Sequence, residues 1–270
     1  MNIINRKYKS GKEPETVLIT GASNGLGAEL ARYYAQPGRT IGLIDLQRDK
    51  LNAVAEECRQ RGATVTTGLI DVTNIDVLAD WLLRFDAEHP IDLLIANAGI
   101  STGIAEGNVS EGRDPVLRQI AVNLNGAVAT IEPLLPAFRA RGGGQVAVIS
   151  SIASFRGLPF SPGYCASKAG LRAYGEALRV LLKPHGIHVS VISPGFFDSK
   201  MSREFPGAKH FIKTTAQAAA IIRRGLDARR ARITFPLSLG LLLKLNDLLP
   251  PWLSDPIIGR YRFFIKAQPR

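Results

Sequence analysis

Tyr164 and Lys168 stand four residues apart in Tyr164-Cys165-Ala166-Ser167-Lys168. On a helix that spacing puts both on one face, with Cβ atoms about 5–6 Å apart. An ammonium beside a phenol favours the phenolate. The pair is therefore expected to draw Tyr164 down from the usual tyrosine value of about 10 toward a range useful for proton transfer. Ser151 lies 13 residues before Tyr164, where an apolar run ends. If that run is a strand of a parallel sheet, Ser151 sits at the edge where ligands bind. None of the three is distinctive alone.

A second cluster reads Thr20-Gly21-Ala22-Ser23-Asn24-Gly25-Leu26-Gly27, between an apolar run and a helical stretch. Glycines there allow a tight turn and the close approach of a phosphate, whose charge meets the N–H groups at the helix start. The spacing is G-x-x-x-G-x-G, and glycines at a strand–helix turn can also serve geometry alone. Its position after the first strand favours a dinucleotide site. Asp45 ends the second run, 18 residues after Gly27. A carboxylate there accepts hydrogen bonds from ribose hydroxyls and repels a 2′-phosphate, which favours NAD over NADP. It could instead cap the next helix, and Arg48 and Lys50 nearby soften the preference.

The elements that must position these groups follow from hydropathy. TVLIT (16–20), TIGLID (40–45), TVTTGLI (64–70), IDLLIAN (91–97), QVAVIS (145–150) and HVSVIS (188–193) read as strands. They are continuous rather than alternating, as strands buried on both faces are. Helical periodicity fills 26–36, 48–61, 74–88, 115–140 and 163–184. This rhythm predicts an α/β fold with a doubly wound parallel sheet of about seven strands. With no linker or repeat, the chain reads as one domain: a basic tail (1–14), a nucleotide-binding and catalytic domain (15–234), and a hydrophobic, basic extension (235–270).

Together these motifs resemble the short-chain dehydrogenase/reductase family over roughly residues 15–200. The likeness rests on TGASNGLG (20–27), Asp71-Val72, Asn97-Ala98-Gly99, Asn123, Ser151, the Tyr164/Lys168 pair and Pro194-Gly195. It departs mildly: the family's N-N-A-G reads Ala96-Asn97-Ala98-Gly99, and the usual threonine after P-G-x-x-x is Ser199. The resemblance implies a Rossmann fold and NAD(H)-linked interconversion of a secondary alcohol and a ketone. Tyr164 would be the general acid/base. Lys168 would lower its pKa and bind the nicotinamide ribose. Ser151 would hold the substrate oxygen, and Asn123 would position a water linking Lys168 to solvent. Asp71 and Val72 would contact the adenine. Asn97, Ala98 and Gly99 would shape the strand end beside the cofactor, while Pro194, Gly195 and Ser199 would flank the nicotinamide. It also implies a homodimer or homotetramer built through the long helices.

A nucleotide-sugar epimerase or dehydratase with retained NAD is a second reading. Such enzymes usually carry a longer C-terminal substrate domain than the 70 residues after position 200. A non-catalytic NAD-sensing scaffold is a third, though such proteins typically lose the tyrosine or lysine.

The 270 residues carry a net charge of +11, unevenly placed. Residues 1–12 hold +4, residues 13–200 hold −2, and residues 201–270 hold +9. Basic ends on a neutral body, without zinc spacing or aromatic signatures, do not read as a nucleic-acid surface. Cys58 and Cys165, with His89, His185, His188 and His210, show no metal-ligand pattern. The N-terminus lacks the apolar core of a secretory leader, and no apolar run reaches the roughly 18–20 residues of a membrane span. A cytoplasmic protein is expected.

Two segments bear on the substrate. Residues 198–213 mix Phe, Pro, Gly and bases, and read as a lid or a surface connection. In 235–267, Leu237, Leu241, Leu245 and Leu248 share one face of a helix between Pro236 and Pro250. Leu239, Leu242, Leu243 and Leu249 widen it, and Trp252, Phe263 and Phe264 follow among Arg260, Arg262 and Lys266. That pattern suits a helix packed on the domain, an oligomer contact, or peripheral contact with a membrane surface.

Overall fold

The computed structural model describes residues 13–105, 107–198 and 213–260. The strands are β1 (Thr16–Thr20), β2 (Thr40–Asp45), β3 (Thr64–Leu69), β4 (Leu93–Ala96), β5 (Gly144–Ile149), β6 (Ile187–Pro194), β7 (Phe197–Asp198), β8 (Lys213–Thr214) and β9 (Arg232–Phe235). Seven form one parallel sheet in the order β3-β2-β1-β4-β5-β6-β9, and β7 pairs with β8 apart from it. The chain winds outward from β1 to β3, then returns to β4 on the other side of β1. The carboxyl ends of β1 and β4 therefore flank the switch point, the place where such sheets bind ligands.

Side chains of one strand serve two cores. Val17 and Ile19 join one apolar cluster, and Leu18 joins the other. The first cluster is closed by α1 (Gly25–Tyr34), α2 (Arg48–Gln60) and α8 (Thr215–Asp227). The second is closed by α3 (Ile75–Glu88), by the helical stretch 113–140, and by α7 (Pro162–Leu182). Both faces being covered explains why the strands read as continuous apolar runs.

The stretch 115–140 was expected as one helix and is broken. It runs as α4 (Arg113–Ile120), a π turn at Ala121–Asn125, α5 (Gly126–Ile131), a 3₁₀ turn at Glu132–Leu134 and α6 (Leu135–Ala140). Pro133 and Pro136 lack amide donors and sit at the later breaks. The π turn is closed by the Gly126 N–H on the Ala121 carbonyl and contains Asn123.

After β9 come α9 (Leu237–Asp247) and α10 (Pro251–Gly259). They rest on a third, small apolar cluster of Ile152, Phe155, Leu243 and Ile258, flanked by Leu158 and Leu239. The leucine face read from the sequence is not the buried one. α9 meets the body through Gly240, Leu243 and Asn246, whereas Leu237, Leu241, Leu245 and Leu248 are exposed. Ser199 and most of the segment expected to be a lid lie outside the described residues. The chain on either side of it is joined, with Phe197 beside Lys213 and Asp198 beside Thr214. No described helix is long and apolar enough to cross a membrane.

Candidate active site

The glycine turn is held to β4 by one hydroxyl and one amide. Thr20 Oγ1 accepts the N–H groups of Asn97 and Ala98, each at 3.1 Å. Asn97 Nδ2 donates to the carbonyls of Thr20 and Gly21 at 3.0 and 3.1 Å. Gly21 has φ +66°, and a Cβ there would lie 2.8 Å from Ala98 Cα. A Cβ on Gly27 would lie 2.0 Å from the Gly21 carbonyl oxygen. A side chain at either position would force α1 and β4 apart.

Beyond that turn, Asn24 Oδ1 caps α1 by accepting the Gly25 N–H at 2.7 Å. Asp45 accepts from the amides of Ser23 (3.1 Å), Leu46 (2.7 Å) and Gln47 (3.0 Å). It thus ties the end of β2 to the turn, and it meets the start of the next helix as well. The site fits a dinucleotide on its own terms. The positive end of α1 opens beside it, and the buried hydroxyls of Ser23 and Ser101 have no hydrogen-bond partner among the described residues.

Ser151 follows β5, and Tyr164 and Lys168 lie in the first two turns of α7. The Tyr164 hydroxyl and Ser151 line the same cavity; Ser151 Oγ donates to the Pro194 carbonyl at 3.5 Å and accepts the Ala153 N–H at 3.1 Å. Lys168 is buried and donates from Nζ to the Ile149 carbonyl at 2.8 Å. Its Nζ lies 5.8 Å from the centre of the Tyr164 ring. The expected lowering of the tyrosine is reversed here. Burial pushes the Tyr164 phenol up to about 12, although Ser151 nearby works in the opposite direction. Burial likewise pulls Lys168 down to about 8. Loss of water penalises both charged forms, and the lysine is directed at a carbonyl rather than at the phenol.

Asn123 is fully buried. Its Oδ1 accepts the Ile100 N–H at 2.7 Å, and its Nδ2 donates to the Ile100 carbonyl and Ser167 Oγ at 2.9 and 3.0 Å. The side chain therefore joins the loop after β4 to α7. A Cβ on Gly99 would sit 3.2 Å from Asn123 Oδ1 and 3.4 Å from Lys168 Nζ, so glycine keeps the space between amide and ammonium.

A cavity of about 440 Å³ brings most of the expected residues together. Gly21, Ser23, Asn24, Gly25, Leu26 and Asp45 line one part, and Asn97, Gly99, Ser151, Tyr164, Lys168, Pro194 and Gly195 the rest. Gly27, Ala98 and Asn123 support the wall from behind. Asp71 and Val72 do not line it. The Asp71 carboxylate binds Thr73 and, at 2.9 Å, Arg118, and these hydrogen bonds outweigh burial and hold it below the usual aspartate value. Val72 packs against Gly126.

The sequence reading missed the apolar part of the cavity, formed by Ile100, Ile152, Leu158, Phe160, Phe196 and Phe197. It also missed Glu111, whose carboxylate accepts from the Gly163 N–H (2.8 Å), Thr102 Oγ1 (2.9 Å) and Gln119 Nε2 (2.7 Å). Glu111 thus sits against the first turn of α7, one residue from Tyr164, where a negative charge suits the helix dipole. The one available signal was an acid in a polar loop, where Glu106 and Asp114 stand nearby in sequence.

Residues 15–209 match the family described as short chain dehydrogenase. A protein of Myxococcus xanthus described as an uncharacterized oxidoreductase is 34% identical over 251 residues, 92% of this chain and 97% of that protein. The fold is similar to that of a short-chain dehydrogenase from Sphingobium yanoikuyae in complex with NADPH. The TM-score is 0.75 at 24% identity, covering 94% of this chain and 98% of that one. It is also similar to a short-chain dehydrogenase from Mycobacterium paratuberculosis bound to NAD, with a TM-score of 0.71 at 20% identity, covering 82% and 94%. Likeness along nearly the whole length, together with the glycine turn at the switch point, has one reading: this chain belongs to the short-chain dehydrogenase family, oxidoreductases that act on CH–OH groups with a nicotinamide dinucleotide.

Proposed function

We propose that this enzyme interconverts a secondary alcohol and a ketone, with Tyr164 as general acid/base and NAD(H) as the preferred dinucleotide. The observation that carries the reading is the convergence of Ser151, Tyr164 and Lys168 on the one cavity that the glycine turn also lines. When bound, the dinucleotide supplies or takes the hydride. In reduction, Ser151 and Tyr164 both bond the carbonyl oxygen and polarise it, and the Tyr164 proton moves to that oxygen. In oxidation Tyr164 takes the proton back. Lys168, held on the Ile149 carbonyl, faces the ring of Tyr164 and stabilises its phenolate when charged. Asn123 fixes the loop and the helix between which Lys168 lies.

Asp45 supports the dinucleotide preference. Three of its roughly four acceptor positions hold backbone amides. The remaining one suits a ribose hydroxyl, and the charge opposes a 2′-phosphate. The apolar lining favours a hydrophobic ketone over a sugar. Exposed Leu117 on α4 with Val180 and Leu181 on α7 supports pairing of two copies through these helices.

The test is NAD- and NADP-linked turnover over hydrophobic ketones, polyols and sugars, with Tyr164→Phe beside it. NAD-linked reduction of an apolar ketone, lowered by about 10³-fold or more in the variant, is expected. Full activity in Tyr164→Phe would overturn the assignment.

A further inference from the structure

We propose that the outer face of α9 and α10 docks on an anionic membrane surface and gives the cavity access to ketones or alcohols dissolved in the lipid. The second half rests on the function proposed above; the docking does not.

A helix that is apolar all round is normally buried all round. α9 reads LSLGLLLKLND, yet it buries only Gly240, Leu243 and Asn246, with Leu239 partly covered and Lys244 Nζ over the Phe155 ring at 4.5 Å. Leu237, Leu241, Leu245 and Leu248 on α9 and after it, with Trp252 and Ile257 on α10, stay exposed; Leu248 is 81% and Trp252 74% accessible. These side chains form an apolar surface of the kind that marks an interaction site. An exposed tryptophan such as Trp252 suits the boundary between lipid and water.

The charges favour lipid over protein. Between residues 237 and 270 the acids are Asp247 and Asp255 and no others. Both are drawn to one arginine from the body. Arg156 approaches Asp255 Oδ1 at 2.7 Å and Asp247 Oδ1 at 3.7 Å, and donates to Ser254 Oγ at 3.0 Å. The same stretch carries Lys244, Arg260, Arg262, Lys266 and Arg270. An apolar face in a segment whose sequence holds five bases and two acids complements anionic headgroups. A second copy meeting this face would bring like charges together. With 11 and 9 residues, α9 and α10 are too short to span a bilayer and suit lying in its surface.

The face also reaches the site. Leu239 and Leu243 pack with Ile152, Phe155 and Leu158, and Ile152 and Leu158 line the cavity. The docking helices and the apolar half of the cavity thus share a wall.

The experiment is flotation of the full chain with vesicles of phosphatidylcholine alone and of equal parts phosphatidylcholine and phosphatidylglycerol. The comparison is the triple variant Leu241→Ser/Leu245→Ser/Trp252→Ser, with light scattering for mass. The wild type is expected to float with the mixed vesicles and weakly with phosphatidylcholine. The triple variant should lose at least about tenfold in partitioning while keeping its mass and its rate on a short water-soluble ketone. No flotation with either vesicle, or equal flotation of the variant, would overturn the proposal. So would a fall in mass in the variant, which would make the face a contact between copies. Flotation without turnover of any panel substrate would sink the proposed function and leave the docking standing.

Discussion

At the scale of the residue, the proposed chemistry rests on two groups that burial shifts from their ordinary protonation behaviour. Lys168 is pulled down to about 8 by burial. Between pH 8 and the unfolded lysine value near 10.5, the unfolded chain holds more protons than the folded one. Stability therefore rises with pH across that window, until ionisation of buried Tyr164 in the unfolded chain begins to oppose it near pH 10. Lys168→Met should abolish turnover yet raise stability at pH 7 by about 1–2 kcal/mol, less than the charge alone would give because the Ile149 carbonyl loses its donor. Denaturant unfolding at pH 7 and pH 9.5 checks this: the rise between them should vanish in the variant. Glu111→Gln keeps the size but loses the charge at the start of α7. We expect kcat to fall about tenfold with KM little changed, since Tyr164 shifts with its helix turn; steady-state kinetics decides. The spacing of Tyr164 and Lys168 was legible because helix geometry is fixed. The direction of the tyrosine shift was not, because burial is a property of the packed chain.

At the scale of the element, the six apolar strands were legible within a residue or two at most ends. β9 was not, since only Ile233 and Phe235 of Arg232–Phe235 are buried and bases precede it. α10 escaped because it starts at Pro251 and contains Pro256. The π turn was hidden too: Asn123 holds the Ile100 backbone 23 residues away, a contact no local pattern reports. The loop after Ser151 carries Arg156, the clasp on α9 and α10. Asp255 is largely exposed, so screening limits the energy, and Arg156→Ala should cost about 1 kcal/mol of stability. The kinetic effect should be more specific. KM for a bulky apolar ketone should rise several-fold through Leu158, while a small ketone is little affected; paired KM measurements test it.

At the scale of the whole molecule, winding in both directions from β1 brings the glycine turn, the end of β4 and the start of α7 to one edge of the sheet. That architecture was legible from the alternation of strands and helices. The charge asymmetry was visible as well, but its meaning needed the fold. Two acids of the C-terminal segment approach Arg156, while Leu237, Leu241, Leu245 and Leu248, whose face the sequence left open to packing, assembly or a membrane surface, face outward. For assembly, Leu117→Glu/Leu181→Glu should convert a dimer to a monomer, checked by light scattering, because charges at the centre of an apolar contact between copies lose their water.

One consequence concerns Arg156 again. A single short loop, from Ser151 to Leu158, lines the cavity with the Ser151 hydroxyl at one end and the Leu158 side chain at the other, with the clasp between them. Wherever two binding events bias one such segment, thermodynamic reciprocity applies: whatever factor a surface adds to ligand affinity, the ligand must add to surface affinity. A ketone analogue that seats against Leu158 would then act as an effector of partitioning. The loop would be the coupling element whose strength Arg156 sets.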